Sequence, residues 1–231
     1  DRSPSRGLGD VYKRQKLEQY IEAPDVPEHS FECGWEYELI GQYASAMGYY
    51  LKCAELTDND LLAYECLMRK AICFRRLGGR EHHVQNCCQM AISLLPGRPE
   101  AYHYLSQSLE YSARWVESHM VARAGQRLNA ERDPLMFDID GMDLDYPGPF
   151  ALPFQEAVAL WWIGRFKECI EKFKEVQEME LDVAYTGHVK WNIDNLEGRD
   201  ADALAGIKKH KKKSITNKDD IIKKMLTESK K

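Results

Sequence analysis

Four aspartates recur at short intervals in Asp138-Ile139-Asp140-Gly141-Met142-Asp143-Leu144-Asp145. They form two Asp-x-Asp units, and clustered carboxylates are the ligands a hard divalent cation takes. The run fails as an EF-hand loop, because its glycine comes too early and Pro149 stands where the bidentate glutamate belongs. The expectation is a solvated acidic loop, with Asp138, Asp140, Asp143 and Asp145 as weak metal candidates and no cofactor. A second cluster is His82, His83, Cys87 and Cys88, in which His83 and Cys87 share a helix face at i, i+4. Structural zinc takes four closed ligands, and two more at suitable spacing are missing, so Cys88 is expected in a core and the histidines at the surface. No orienting residue or oxyanion turn accompanies a Cys–His pair, and no catalytic residue is assigned. The lone residues His103 and His188 are expected to be structural. The last candidate is the basic block Lys208, Lys209, Lys211, Lys212 and Lys213. It lacks interleaved aromatics, which excludes a stacking platform for single-stranded nucleic acid. What it suits is weak contact with an anionic surface or with the chain's own acidic body.

The elements that must position these residues belong to a chain of 231 residues, 44% hydrophobic and 30% charged, with a net charge of −5. That composition excludes collagen, a disordered tail and a disulfide miniprotein. Residues 206–231 carry ten lysines against Asp219, Asp220 and Glu228, a net of +7, which leaves −12 on the rest. Within that tail, Asp219 to Leu226 reads as a short helix. No run reaches the roughly 20 apolar residues that span a bilayer, and no leader pattern opens the chain, so a cytoplasmic location is expected. The cysteines, seven and therefore odd in number, are scattered. They read as reduced, small core residues.

From Glu28 to Leu181 nearly every segment has helical periodicity punctuated by glycine or proline, which predicts an all-α fold. One pattern returns at a period of about 34 residues: a small or apolar pair, a Gly-aromatic turn, then spaced small and aromatic positions. Gly41, Tyr43, Ala46, Tyr50 and Cys53 carry it best, with Gly34 and Tyr37 on the preceding helix. Further copies contain Gly79, Ala91 and Pro96, then Leu105, Ala113, Trp115 and Ala122, then Gly164, Phe166, Cys169, Phe173 and Val176. On these residues the chain resembles the tetratricopeptide-repeat (TPR) family. The resemblance implies a helical-hairpin solenoid with a right-handed superhelix, in which each unit buries its apolar face against a neighbour. The division is 16–26 as the remnant of a preceding repeat, then repeats at 27–60, 61–98 and 99–132. An acidic inter-repeat loop at 133–149 follows, then a fourth repeat at 150–183, a capping helix at 184–198 and a basic tail at 199–231. About four extra residues near Leu61 to Tyr64 predict a lengthened helix in the second repeat.

In that family the first helix of each repeat lines the concave groove. By register Phe31, Trp35, Glu38, Arg69, Arg76, His103, Gln107, Tyr111, Phe154 and Trp161 face it. An aromatic and arginine-bearing groove suits a protein, a peptide or a glycan acceptor, or these side chains pack against the next repeat. The Lys and Asn pattern that grips a peptide carboxylate in one branch of the family is absent, since Phe31 and Trp35 occupy its leading places. A narrower similarity covers 58–176. It rests on Gly78-Gly79-Arg80-Glu81 after a long helix, Leu95-Pro96-Gly97-Arg98-Pro99-Glu100-Ala101, Asp133-Pro134-Leu135-Met136-Phe137 and Glu156 to Phe166. In order and spacing these resemble the helical tail of bacterial and phage family-2-type glycosyltransferases, whose catalytic domain lies upstream of the repeats. That resemblance implies a non-catalytic, partner- or acceptor-binding fragment of a glycosyltransferase; the alternative is a stand-alone TPR adaptor for protein–protein interaction. Consistent with a fragment, Asp10 to Gln15 resembles translated sequencing-adapter DNA, and residues 1–15 are expected to be non-native and unstructured.

Overall fold

A computed structural model describes residues 14–130 and 144–199 together with Leu204 and Gly206, without the side chains of residues 129 and 130. Among the described residues all regular structure is helical. The helices are α1 (residues 14–22), α2 (Pro27–Leu39), α3 (Tyr43–Leu56), α4 (Asp60–Leu77), α5 (Glu81–Leu94), α6 (Pro99–Tyr111), α7 (Trp115–Ala130), α8 (Ala151–Ile163), α9 (Phe166–Gln177) and α10 (Val183–Leu196). None is long and apolar enough to cross a membrane. The chain divides after Gln155 into two compact units.

In the first unit each helix from α2 to α7 packs on the next in sequence. The starts of these helices follow from local chemistry. Pro27 and Pro99 occupy first-turn positions, where their missing N–H leaves no hydrogen bond unmade. The Asn59 side chain accepts from the N–H groups of Leu61 and Leu62 at 3.0 and 3.3 Å and so caps α4. At its other end Arg75 and Arg76 lie beside the negative pole of the helix dipole. The Gly-aromatic turns need a left-handed residue, which Gly41 supplies at φ 75°. In the α6–α7 turn the same role falls to Ala113, at φ 58°. An L-residue there costs roughly 1–2 kcal/mol, partly offset by the greater unfolded-state freedom of glycine. Ala113→Gly is therefore expected to stabilise the chain by about 0.5–1 kcal/mol, read as a rise in the urea midpoint.

At 18 residues α4 is the longest described helix, five more than α2 or α6, in keeping with the added turn. Its buried residues run almost round its circumference, from Ala63 and Tyr64 to Ile72 and Cys73. That is the pattern of a helix enclosed on several sides. One side joins Cys66 and Cys73 to Ala46, Tyr50 and Cys53 of α3. Another joins Tyr64, Met68 and Ala71 to Val84, Cys88 and Ala91 of α5 and to Ala101, Tyr104 and Leu105 of α6. The α4–α6 joint is polar. The Tyr64 hydroxyl donates to Glu100 at 3.1 Å and accepts from the Ala101 N–H at 3.1 Å. The Arg98 guanidinium pairs with the same carboxylate at 2.5 Å and lies 5.2 Å from the Tyr64 ring. Helix α1 also belongs here. Lys16 pairs with Glu32 at 2.6 Å, and the Tyr20 ring meets Tyr49 edge-on at 5.2 Å. Its first residues, Arg14 and Gln15, are helical although they fall in the span expected to lack structure. Arg14 and Glu18, paired at 3.4 Å, give that turn an i,i+4 contact.

The second unit takes up α8 from Glu156 and adds α9 and α10. Gly164, at φ 89°, turns the chain between α8 and α9. Cys169, Phe173 and Val176 of α9 are buried, as are Val189, Ile193 and Leu196 of α10. Asp182 caps α10 by accepting from the Ala184 N–H at 3.0 Å, and Lys174 ties α9 to Glu197 at 2.5 Å. Trp191 of the same helix is half exposed. All seven cysteines are free and buried, as their scatter predicted.

Candidate functional site

The residues assigned to the groove by register fall into three settings. The first is the seam between α2 and α4. The Arg69 guanidinium, only 3% exposed, lies 4.0 Å from the Trp35 ring centroid and 5.7 Å from that of Phe31. It pairs with Glu65 at 2.7 Å and reaches Glu38 at 3.7 Å, while the Tyr50 hydroxyl donates to Glu38 at 2.5 Å. Burial and the Glu38 carboxylate raise the Tyr50 phenol well above its ordinary range. Arg69 therefore spends its charge inside the fold and leaves Trp35 half-buried beneath it.

The second setting is the face shared by α4 and α6. Arg75 donates to Gln107 at 2.8 Å and lies 5.1 Å from the Tyr104 ring and 6.0 Å from that of Tyr111. Arg76 and Tyr111 are exposed. Across this face runs the non-helical segment 144–148. Leu144 is 1% exposed and belongs to the α4–α5–α6 core cluster. Asp145 pairs with Arg76 at 3.4 Å, and the Tyr146 ring meets His103 edge-on at 5.6 Å. Sequence reasoning placed these residues in a solvated acidic loop. For Leu144 and Tyr146 the structure corrects this, because Leu144 has an apolar seat and the Tyr146 ring packs on His103, whereas Asp145 is solvent-exposed as expected and pairs there with the equally exposed Arg76. The succession of apolar, acidic and aromatic residues marks a segment able to dock but gives no address for it. Arg75 was also missed, although it shares the last turn of α4 with Arg76.

His103 is buried, and its Nδ1 has no hydrogen-bond partner among the described residues. The same holds for the Tyr146 hydroxyl. Burial and then the Arg75 charge push the imidazole down to about 4. A histidine in the unfolded chain titrates near 6.5. Between pH 6.5 and 4 the unfolded state therefore binds a proton that the folded state refuses, and stability falls as pH falls through that window. By pH 4.5 this amounts to about 2–3 kcal/mol. His103→Gln is expected to flatten the decline by that amount when urea midpoints at pH 7 and 4.5 are compared with those of the parent.

The third setting is the second unit. There Trp161 is 7% exposed and packs on Phe166 with centroids 5.1 Å apart, inside the α8–α9 hairpin. Phe154, in the part of α8 that belongs to the first unit, is half-buried. Exposure thus separates Arg76, Gln107 and Tyr111, which solvent reaches, from Arg69, His103 and Trp161, which it hardly does.

The other candidates carry no chemistry that the described residues support. Asp138, Asp140 and Asp143 lie outside those residues, as do Lys208, Lys209, Lys211, Lys212, Lys213 and the segment Asp219 to Leu226. No group of three or more metal-ligating side chains occurs among the described residues. Cys87 and Cys88 sit in the core, and His83 stacks on Phe74 at 4.6 Å. Burial, the leading cause in each case, pushes the Cys33 thiol up to about 11 and those of Cys73 and Cys169 to about 12. Such thiols are protonated and poor nucleophiles at neutral pH.

Comparison with family models and with curated proteins gives no match. Solved structures do match. A crystal structure of MamA aligns at 16% identity and a TM-score of 0.59, covering 75% of this chain and 90% of that one. MamA from Desulfovibrio magneticus RS-1 gives 15% identity and 0.56, over 75% and 86%. YrrB, described as a TPR protein with an unusual peptide-binding site, gives 13% and 0.58, over 80% and 85%. The fold is that of a TPR protein. At such identities the likeness concerns the helical architecture alone, and the TPR fold by itself assigns no ligand.

Proposed function

We propose that this TPR chain is a non-catalytic scaffold that binds an extended peptide segment of a partner protein along the first helices of its hairpins. The observation that carries this reading is the segment 144–146, a non-helical stretch of polypeptide lying against α4 and α6. Arg76, Gln107 and Tyr111 offer such a segment charge, an amide and an exposed ring, with the half-buried indole of Trp35 on α2 nearby in the helix order. The presence of a peptide-binding site in YrrB, a protein of like architecture, supports the same use here. The repeats are bounded as the sequence divides them, the first helices α2, α4 and α6 of the first unit contributing to the groove, and the chain works in the cytoplasm. Of the two functions the resemblances imply, the stand-alone adaptor has the better support. The glycosyltransferase-tail reading rests on the spacing of 58–176 and adds a glycan acceptor as ligand.

Selection of heptapeptides from a random display library on the full chain tests the proposal. Selected peptides should bind saturably and weaken roughly tenfold or more on Gln107→Ala or Tyr111→Ala, as contacts worth above about 1.4 kcal/mol do. Failure to enrich any peptide, or indifference to both substitutions, would remove the groove as the site. Binding of soluble oligosaccharides in place of peptides would favour the glycan reading.

A further inference from the structure

The segment Leu144-Asp145-Tyr146 does more than cross the groove. It places an apolar side chain, an acid and an aromatic ring at successive positions on α4 and α6, as a bound peptide would. Leu144 is sealed in the α4–α5–α6 core, Asp145 faces Arg76, and Tyr146 lies against His103. Two features mark the seat as shaped for an occupant without being ideally filled by this one. Asp145 adopts φ 53°, a left-handed conformation that side-chain-bearing residues resist. The buried His103 Nδ1 and Tyr146 hydroxyl belong to rings in contact, yet neither is hydrogen-bonded among the described residues.

We infer that this face is a recognition site for a partner's apolar–acidic–aromatic peptide, and that residues 144–146 are its intramolecular occupant, which the partner must displace. The inference rests on the peptide-binding reading above and adds both the ligand's chemistry and its regulation. The ligand class follows from the lining. The Arg76 guanidinium selects the acid, the core between α4 and α6 takes the apolar residue, and the imidazole of His103 with the neighbouring Tyr104 receives the ring. Tethering places the intramolecular segment at an effective concentration of order millimolar. A free peptide therefore binds the intact chain weakly and gains affinity when the segment is disabled.

The test uses the fluorescently labelled peptide Leu-Asp-Tyr-Pro-Gly-Pro-Phe, the sequence of residues 144–150, in anisotropy titrations with the full chain. Asp145→Gly with Tyr146→Ser removes the acid and the ring, relieves the left-handed residue and leaves Leu144 in the core. Adding Leu144→Ser empties the seat altogether, and thermal melting establishes that each variant is folded. The expected result is a gain of about tenfold or more in affinity over the parent, abolished by Arg76→Glu in the same background. No gain in any folded variant, or a gain indifferent to Arg76→Glu, overturns the inference. If library-selected peptides bind at Gln107 and Tyr111 while this peptide never does, the inference falls and the general peptide-binding reading stands. If neither binds, both fall. A parent dimer that dissociates in the double variant would assign the seat to a second copy and overturn the assignment to a partner protein.

Discussion

Replacing Arg69 by alanine is expected to cost about 3–5 kcal/mol, the scale for removing one member of a buried ion pair. The cost arises less from lost attraction than from what is stranded. Glu65 and Glu38 have side chains only 14% and 16% exposed, and both face Arg69. The Trp35 ring loses the guanidinium 4.0 Å from its centroid, and the Tyr50–Glu38 bond loses its nearby cation. For a chain of this size the loss corresponds to a fall in Tm of roughly 10 °C. Differential scanning calorimetry of the purified chain measures it. Pairing Arg69→Met with Glu65→Leu should recover much of the loss, because apolar residues of similar volume replace buried ion pairs at little cost. A loss below about 1 kcal/mol for Arg69→Ala, the level of an exposed pair, would mean that the seam is open to water.

Two glycine-to-alanine changes should have opposite signs. A Cβ on Gly125 of α7 would stand 2.6 Å from the Cβ of Tyr102 on α6 and 3.0 Å from a methyl of Leu152. The Tyr102 Cβ cannot swing aside as a side-chain tip can, so α6 and α7 must part. Overpacking of this kind costs roughly 1–3 kcal/mol, beyond the roughly 1 kcal/mol that alanine contributes to helix propensity. Gly48 in α3 is different, because a Cβ there would meet nothing within 4 Å. Gly48→Ala is expected to stabilise by up to about 1 kcal/mol. Urea midpoints of the two variants, one below and one above the parent, check the helix contacts independently of any ligand.

The architecture was legible because its signals are local and repeated. Pro27 and Pro99 mark helix starts, Gly41 and Gly164 mark turns, and the small residues Ala46 and Cys53 report a close helix contact that the structure places in one cluster. The added residues before Tyr64 were legible for the same reason, as an interruption of a period. The site was harder to read. Register told which residues lie on first helices, but not which of them spend their polar groups within the fold. Arg69 could be assigned to the groove from spacing alone, whereas its burial depends on Trp35, Glu38 and Glu65, two of which come from a different helix. The seat of Leu144 was beyond reach. Its partners, from Tyr64 to Leu109, precede it by 35 residues or more, and a short run with neither helical nor strand periodicity carries no address.

Whether ligands enter along the first helices can be decided by amide chemical-shift mapping of the full chain, titrated with a library-selected heptapeptide. Saturable shifts should concentrate on α2, α4 and α6, with Trp35, Arg76, Gln107 and Tyr111 among the most perturbed. Shifts confined to the second helices α3, α5 and α7 would contradict binding in the groove.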